Sequence, residues 1–165
     1  MKDKVLILDK DRIDKKMQRM AFQIWEHNSH EKAIHFVGIN GTGITVANNL
    51  AARLQSISNI HVTVHKLSIN KKRPLAEKAV LDAALDNEAV VLIDDVANSG
   101  KTLLYAMKPI LAFEPKKIMV AVLVDRKHKS FPISPDIVGH SVATTLQDHI
   151  EVACEGSEII GAYLQ

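Results

Sequence analysis

Two adjacent aspartates, Asp94 and Asp95, end an apolar run and precede a turn of small and hydroxyl-bearing residues, Ala97-Asn98-Ser99-Gly100-Lys101-Thr102. Ionised carboxylates only accept hydrogen bonds, so the pair suits a vicinal diol or a hydrated divalent cation such as magnesium, which prefers oxygen. The turn suits an anion. A small-residue loop that opens a helix aims unpaired backbone N–H groups at one point, and the helix dipole favours negative charge there. Ser99 and Thr102 add hydroxyl donors. A ribose carrying a 5′-phosphate matches both halves of the stretch. Two plainer readings compete. A triphosphate P-loop needs a glycine five positions before Gly100, where Asp95 stands. An ordinary strand-to-helix turn leaves two repelling carboxylates side by side without a compensating ligand. If the backbone must approach a phosphate closely at Gly100, a β-branched residue there is expected to abolish binding of a nucleoside monophosphate while the chain still folds.

A second small-residue loop, Asn40-Gly41-Thr42-Gly43, follows another apolar run and opens another helical pattern. It is a second candidate anion cradle. As a dinucleotide fingerprint it fails, because the third small position is Val46. Asp125, Arg126 and His128 follow a third apolar run. His61 and His65 share one face of a strand pattern, but no third ligand type lies nearby, so they read as residues of a half-exposed strand rather than a metal site. His140 and His149 read as surface histidines.

The elements that must position these groups are legible from periodicity. Ala89 to Ile93 and Lys117 to Val124 are apolar without alternation, as strands buried on both faces of a parallel sheet are. Ala33 to Ile39 is a third such run, and His61 to Leu67 a looser one. Ile13, Met17, Met20, Ala21, Ile24 and Trp25 fall on one helical face, capped by Asp9 or Asp11. Ile44, Ala47, Leu50, Ala51 and Leu54 define a second helix, and a third begins at about Lys101. Val5 to Leu8, Ile150 to Cys154 and Ile159 to Leu164 read as short strands from the two termini. Leu75 to Leu85 reads as a helix or an extra strand. Helices alternating with buried strands predict an α/β fold: a mainly parallel sheet of about five strands, helices on both faces, and a small hood built from the termini. In an open parallel sheet ligands collect at the strand C-termini, so Asn40 to Gly43, Asp94, Asp95, Asp125 and Arg126 should border one crevice.

Bulk properties narrow the function. The chain has 165 residues, 47% of them hydrophobic, which suits one domain, 1–165, with one core. A net charge of +2 makes no global field for nucleic acid, so any such role needs a local patch. Cys154 is the only cysteine, and no run approaches a signal peptide or a membrane span, so a reducing cytoplasm and no membrane partner are expected.

The string from Ile93 to Thr102 resembles the phosphoribosyl-pyrophosphate signature of type I phosphoribosyltransferases: hydrophobic, two acids, hydrophobic, two variable residues, Ser/Thr, Gly, variable, Ser/Thr. Within that family the chain most resembles the pyrimidine-operon attenuator/uracil phosphoribosyltransferases. Ile7-Leu8-Asp9, Val37-Gly38-Ile39 and Val122 to Arg126 with His128 and Pro132 extend the likeness over most of the length. The resemblance implies the type I fold and a magnesium-dependent transfer of the phosphoribosyl group of phosphoribosyl pyrophosphate to a nucleobase, uracil favoured. It implies Asp94 and Asp95 as catalytic and metal-holding, residues 97–102 as the 5′-phosphate cradle and Asn40 to Gly43 as the pyrophosphate loop. By the same resemblance Asp125, Arg126, Val142 and Thr144 are candidates for the base side. A homodimer or larger homo-oligomer is expected.

Two departures from the family pattern carry expectations of their own. Thr42 stands where an arginine is usual, and the interval from Ser68 to Glu88 is short for the flexible lid. Transfer is therefore expected to be slow, and Lys71, Lys72 and Arg73 read either as cations within reach of pyrophosphate or as a solvated basic loop. The alternative is a nucleotide-sensing, RNA-binding attenuation regulator with weak or no catalysis. On the first helix Arg19 is kept, but Gln18, Phe22 and His27 replace the residues expected of an RNA face. RNA is thus not the favoured partner.

Overall fold

The structure is a computed structural model that describes residues 3–145 and 148–165. The order is β1 (Val5–Asp9), α1 (Lys10–His27), β2 (Ala33–Ile39), α2 (Thr42–Ile57), β3 (His61–Ser68), β4 (Val80–Leu81), β5 (Ala89–Ala97), α3 (Lys101–Ile110), β6 (Lys117–Arg126), β7 (Ile137–Val142), β8 (Ile150–Glu155) and β9 (Glu158–Leu164).

Six strands form the main sheet in the order β4-β3-β2-β5-β6-β7. Every neighbouring pair is parallel except β3 with β4. The sheet thus has one strand beyond the expected five. The addition is β4, two residues from the Leu75 to Leu85 interval that pair antiparallel with Leu67 and Ser68. Of the two readings of that interval the extra strand forms, limited to Val80 and Leu81, and the helix does not. The runs without alternation are explained by burial on both faces. Val91 and Ile93 of β5 join Phe36, Ala121 and Leu123 in the core under α1 and α2, while Val90 and Leu92 join Val37, Ile39, Val120 and Val122 in the core under α3.

The hood is an antiparallel sheet in the order β1-β9-β8. Asp9 joins it to the main body: its carboxylate accepts the Arg12 N–H at 2.8 Å and caps α1 as that helix leaves β1. Among the described residues no helix is long and apolar enough to cross a membrane.

Candidate functional site

The chain leaves β2 for β3 on one side of the sheet, and β5 leads to β6 on the other. The gap between the C-terminal ends of β2 and β5 is therefore the point where strand order reverses, and crevices open there in α/β sheets. Residues 40–43 leave β2, and the acid pair ends β5, so topology alone brings the two candidate cradles together.

Asp94 is only 2% exposed. Its Oδ1 accepts the backbone N–H of Asp95 at 2.9 Å and lies 3.4 Å from Lys71 Nζ. Burial, and next the charge of Asp95, push its carboxyl up to about 8, against the pull of Lys71. Asp95 is half-buried, and its Oδ1 accepts the Val96 N–H at 2.8 Å. Gly43 makes room for this arrangement, since a Cβ there would stand 2.8 Å from Asp94 Oδ1.

Gly41 precedes α2 at φ +85°, and α2 starts with no side-chain cap and no acidic residue in its first turn. Among the described residues no side chain accepts from its terminal N–H groups. Thr42 stands on the cleft wall. Asn40 plays a different part: its N–H donates to the Leu67 carbonyl at 2.9 Å and its Oδ1 accepts the Ile69 N–H at 3.1 Å. It ties the ends of β2 and β3 and so aims the following Lys71 at Asp94.

The second loop is shaped from behind. The Ser99 carbonyl accepts the N–H groups of Ser130 and Phe131 at 3.0 and 3.1 Å, and the Asn98 carbonyl accepts Lys129 Nζ at 3.2 Å. In a trans peptide the C=O and N–H point opposite ways, so the amides of Ser99 and Gly100 face away from residues 129–131. Gly100 adopts φ +87° and leads into α3, which also lacks a side-chain cap and a first-turn acid. Ser99 Oγ accepts the Lys101 N–H at 3.3 Å. Ala97 is buried at the end of β5.

A cleft of about 320 Å³ unites Thr42, Lys71, Asp94, Asp95, Asn98 and Thr102 on the sheet side with His149 to Val152 of the hood. Lys101 turns outward instead, into an open groove with Lys72, Arg73 and Tyr105. A larger cavity, about 410 Å³, lies between residues 69–79 and α3, but its mainly apolar wall carries neither the acid pair nor either glycine loop. The smaller cleft is therefore the candidate site.

Asp125, Arg126, Val142 and Thr144, the base-side candidates, are not on this wall, although Arg126 reaches Asn98, which is. Asp125 pairs with Lys129, and Val142 packs against the core under α1 and α2. Arg126 donates to Thr144 Oγ1, to the Thr145 carbonyl and to Asn98 Oδ1. The wall opposite the acids comes instead from β8 and the residue before it. His149, read from sequence as a surface residue, is exposed and lines the cleft. Glu151 beside it forms an ion pair with Lys4 at 2.6 Å. No local pattern marks these two, because only docking of the hood brings them in. His65 Nε2 hydrogen-bonds His35 Nδ1 at 2.8 Å, and among the described residues no group of three or more His, Cys, Asp or Glu is placed to hold a metal ion.

Residues 6–154 match the family described as a phosphoribosyl transferase domain. The chain is similar to the protein named Bifunctional protein PyrR of Limosilactobacillus reuteri, 32% identical over 161 residues that cover 90% of each chain. It is also similar to the protein of that name in Pelotomaculum thermopropionicum, 34% identical over 161 residues that cover 92% of this chain and 89% of the relative. Among solved structures it is similar to a hypoxanthine-guanine phosphoribosyltransferase of Bacillus anthracis, with a TM-score of 0.75 at 17% identity, covering 97% of this chain and 99% of that one. It is likewise similar to the hypoxanthine phosphoribosyltransferase of Trypanosoma cruzi, with a TM-score of 0.79 at 14% identity and 94% of each chain covered. At these identities the structural likeness is one of fold.

Proposed function

Because the chain belongs to the phosphoribosyltransferase family and is an enzyme of that class, we propose that it joins a pyrimidine base, uracil first, to the ribose of phosphoribosyl pyrophosphate and releases pyrophosphate. The observation that carries this reading is the meeting, in one cleft, of an acid pair, Asp94 buried and Asp95 half-buried, with two helix starts that follow glycines and carry no acid in their first turns. In this reading Asp94 and Asp95 accept the ribose hydroxyls. Residues 97–102 receive the 5′-phosphate through the outward amides of Ser99 and Gly100 and the hydroxyl of Thr102. The start of α2 receives pyrophosphate. The choice of uracil rests on the likeness to the attenuator branch of the family.

The donor set fits magnesium bound through one or two carboxylates plus substrate oxygens, a mode that needs no third protein ligand. Asp95, half-buried on the cleft wall, and Asp94 behind it would hold the ion, which when bound neutralises charge on the leaving group. The chain itself meets the developing negative charge with the α2 amides and the Lys71 ammonium, fixed donors in a partly enclosed site. A cytoplasmic homodimer or larger homo-oligomer completes the proposal.

Incubation with labelled phosphoribosyl pyrophosphate, magnesium and a panel of bases tests it. Labelled UMP is the expected product. Product only with a purine base overturns the choice of acceptor, and no product with any base overturns transfer in favour of a nucleotide-sensing role.

A further inference from the structure

One guanidinium links the phosphate loop to Thr144 and Thr145, beyond the end of β7. Arg126 ends β6, and each of its three nitrogens donates to a protein acceptor: Nε to Thr144 Oγ1 at 2.7 Å, one Nη to the Thr145 carbonyl at 2.7 Å, and the other to Asn98 Oδ1 at 3.3 Å. Asn98 belongs to the sheet-side wall and to the phosphate loop. Thr144 and Thr145 follow β7 and run toward the hood. The Thr145 N–H and hydroxyl donate to Asp148 Oδ2 at 3.0 and 2.7 Å, directly before His149, where the hood wall begins. Lys129 grips the same phosphate loop from below, through the Asn98 carbonyl, the Asp125 carboxylate and the Arg126 carbonyl. A guanidinium holds its acceptors in fixed directions within one plane, a geometry that a rotating ammonium does not reproduce.

We propose that Arg126 is a positioning residue that couples the phosphate loop to the hood wall, so that the sugar-phosphate half of a nucleotide and its base bind cooperatively. The proposal rests on the phosphoribosyl-binding reading above. Its physical content is that Asn98, Thr144, Thr145 and Asp148 move together. An occupied phosphate loop fixes Asn98, Asn98 fixes the guanidinium, the guanidinium fixes Thr144 and Thr145, and Thr145 fixes Asp148 beside the hood wall. The base, projecting from the ribose away from the phosphate, then meets a wall already in place and loses less freedom on binding.

Calorimetry on the full chain separates this from a merely structural role. The probes are ribose 5-phosphate, which engages only the phosphate side, and UMP, with IMP run in parallel. In Arg126→Gln the affinity for ribose 5-phosphate is expected to stay within about 2-fold, while the tighter-binding mononucleotide loses about 10-fold or more, the usual size of a coupling between sites. Thr144→Val, which removes one acceptor on the hood side and keeps Arg126 bound to Asn98, should lose mononucleotide affinity alone. The double variant should lose no more than Arg126→Gln, since both cut the same link. Arg126→Lys should not restore the loss. Equal losses for both ligands in Arg126→Gln overturn the coupling, because Arg126 then only braces the phosphate loop. So does an unchanged mononucleotide affinity in Thr144→Val, which keeps the test valid if Arg126→Gln fails to fold. Wild-type protein that binds neither ligand removes the phosphoribosyl-binding reading itself. Wild-type protein that binds ribose 5-phosphate as tightly as the mononucleotides removes only the coupling.

Discussion

At the residue scale the acid pair is costly until a ligand arrives. Asp94 sits 2% exposed next to a second carboxylate, with one ammonium at 3.4 Å. Its carboxyl titrates at about 8 rather than the ordinary 3.8, chiefly through burial. The folded ligand-free protein therefore holds a proton that the unfolded chain has already released. Stability contributed by this site is fully present below the unfolded value and declines as pH rises from there toward the folded one. Asp94→Asn should consequently raise the melting temperature of metal-free protein at pH 8 by at least ~2–4 °C, the equivalent of about 1 kcal/mol for a chain this size. At pH 3.5 the two proteins should melt alike. Phosphoribosyl transfer should vanish in the same variant, so thermal melts and assays must move in opposite directions. Lys71 is the second actor here. Thr42 lacks a charge, and the Asn40 tie delivers an ammonium from the neighbouring strand end instead. Lys71→Ala should slow transfer by about 10²-fold, the usual cost of one donor at developing charge. Thr42→Arg should raise the wild-type rate, and an unchanged rate would show that Lys71 already meets the need.

At the element scale the two glycine turns differ in what a side chain would meet. Gly41 has φ +85° and nothing within 4 Å of a built Cβ, so Gly41→Ala meets only backbone strain of about 1–3 kcal/mol. It should fold, melt several degrees lower, and lose pyrophosphate affinity in calorimetry. Gly100 also has positive φ, but its Cβ would stand 2.9 Å from Ile133 Cγ2 and 3.4 Å from the Phe131 carbonyl. Gly100→Val, expected from sequence to fold and lose only phosphate, thus collides with the loop that holds the Ser99 and Asn98 carbonyls. Its melting temperature should drop further than that of Gly41→Ala, and lost ligand binding in it does not isolate a phosphate contact. Lys129→Ala probes that cradle without adding atoms, freeing the Asn98 carbonyl together with the Asp125 carboxylate and the Arg126 carbonyl.

At the scale of the whole molecule, strand order sets where a ligand can sit and which faces remain for partners. Both glycine loops and the acid pair reach one cleft because β2 and β5 are neighbours at the reversal point. The polar face of α1 looks outward, yet its most telling cation is occupied: Arg19 donates to Gln23 Oε1 at 2.7 Å and to the carbonyls of Val138 and Gly139 at 3.1 and 2.6 Å. Phe22 and Trp25 stand exposed beside it, with ring centroids 6.2 Å apart. Filter binding should accordingly find no tight, uridine-nucleotide-dependent retention of an RNA hairpin at physiological salt. Any residual binding should fall steeply as salt rises, as phosphate contacts do.

What the amino-acid sequence determined without help is everything that depends on near neighbours along the chain. Apolar runs without alternation marked the doubly covered strands, helical periodicity marked α1, α2 and α3, and Asp9 was legible as one of two candidate caps because the N–H it accepts lies three residues on. The string from Asp94 to Thr102 was legible as one unit because the acids, the turn and the helix start are contiguous. Tertiary structure decided the rest. Lys71 finds Asp94 across 23 residues, and Arg126 finds Asn98 across 28. His149 and Glu151 reach the cleft only because a three-stranded hood, closed by pairing of β1 with β9 from opposite ends of the chain, docks over it. Contacts of that span are set by strand order and packing, which leave no spacing or periodicity in the local sequence to read.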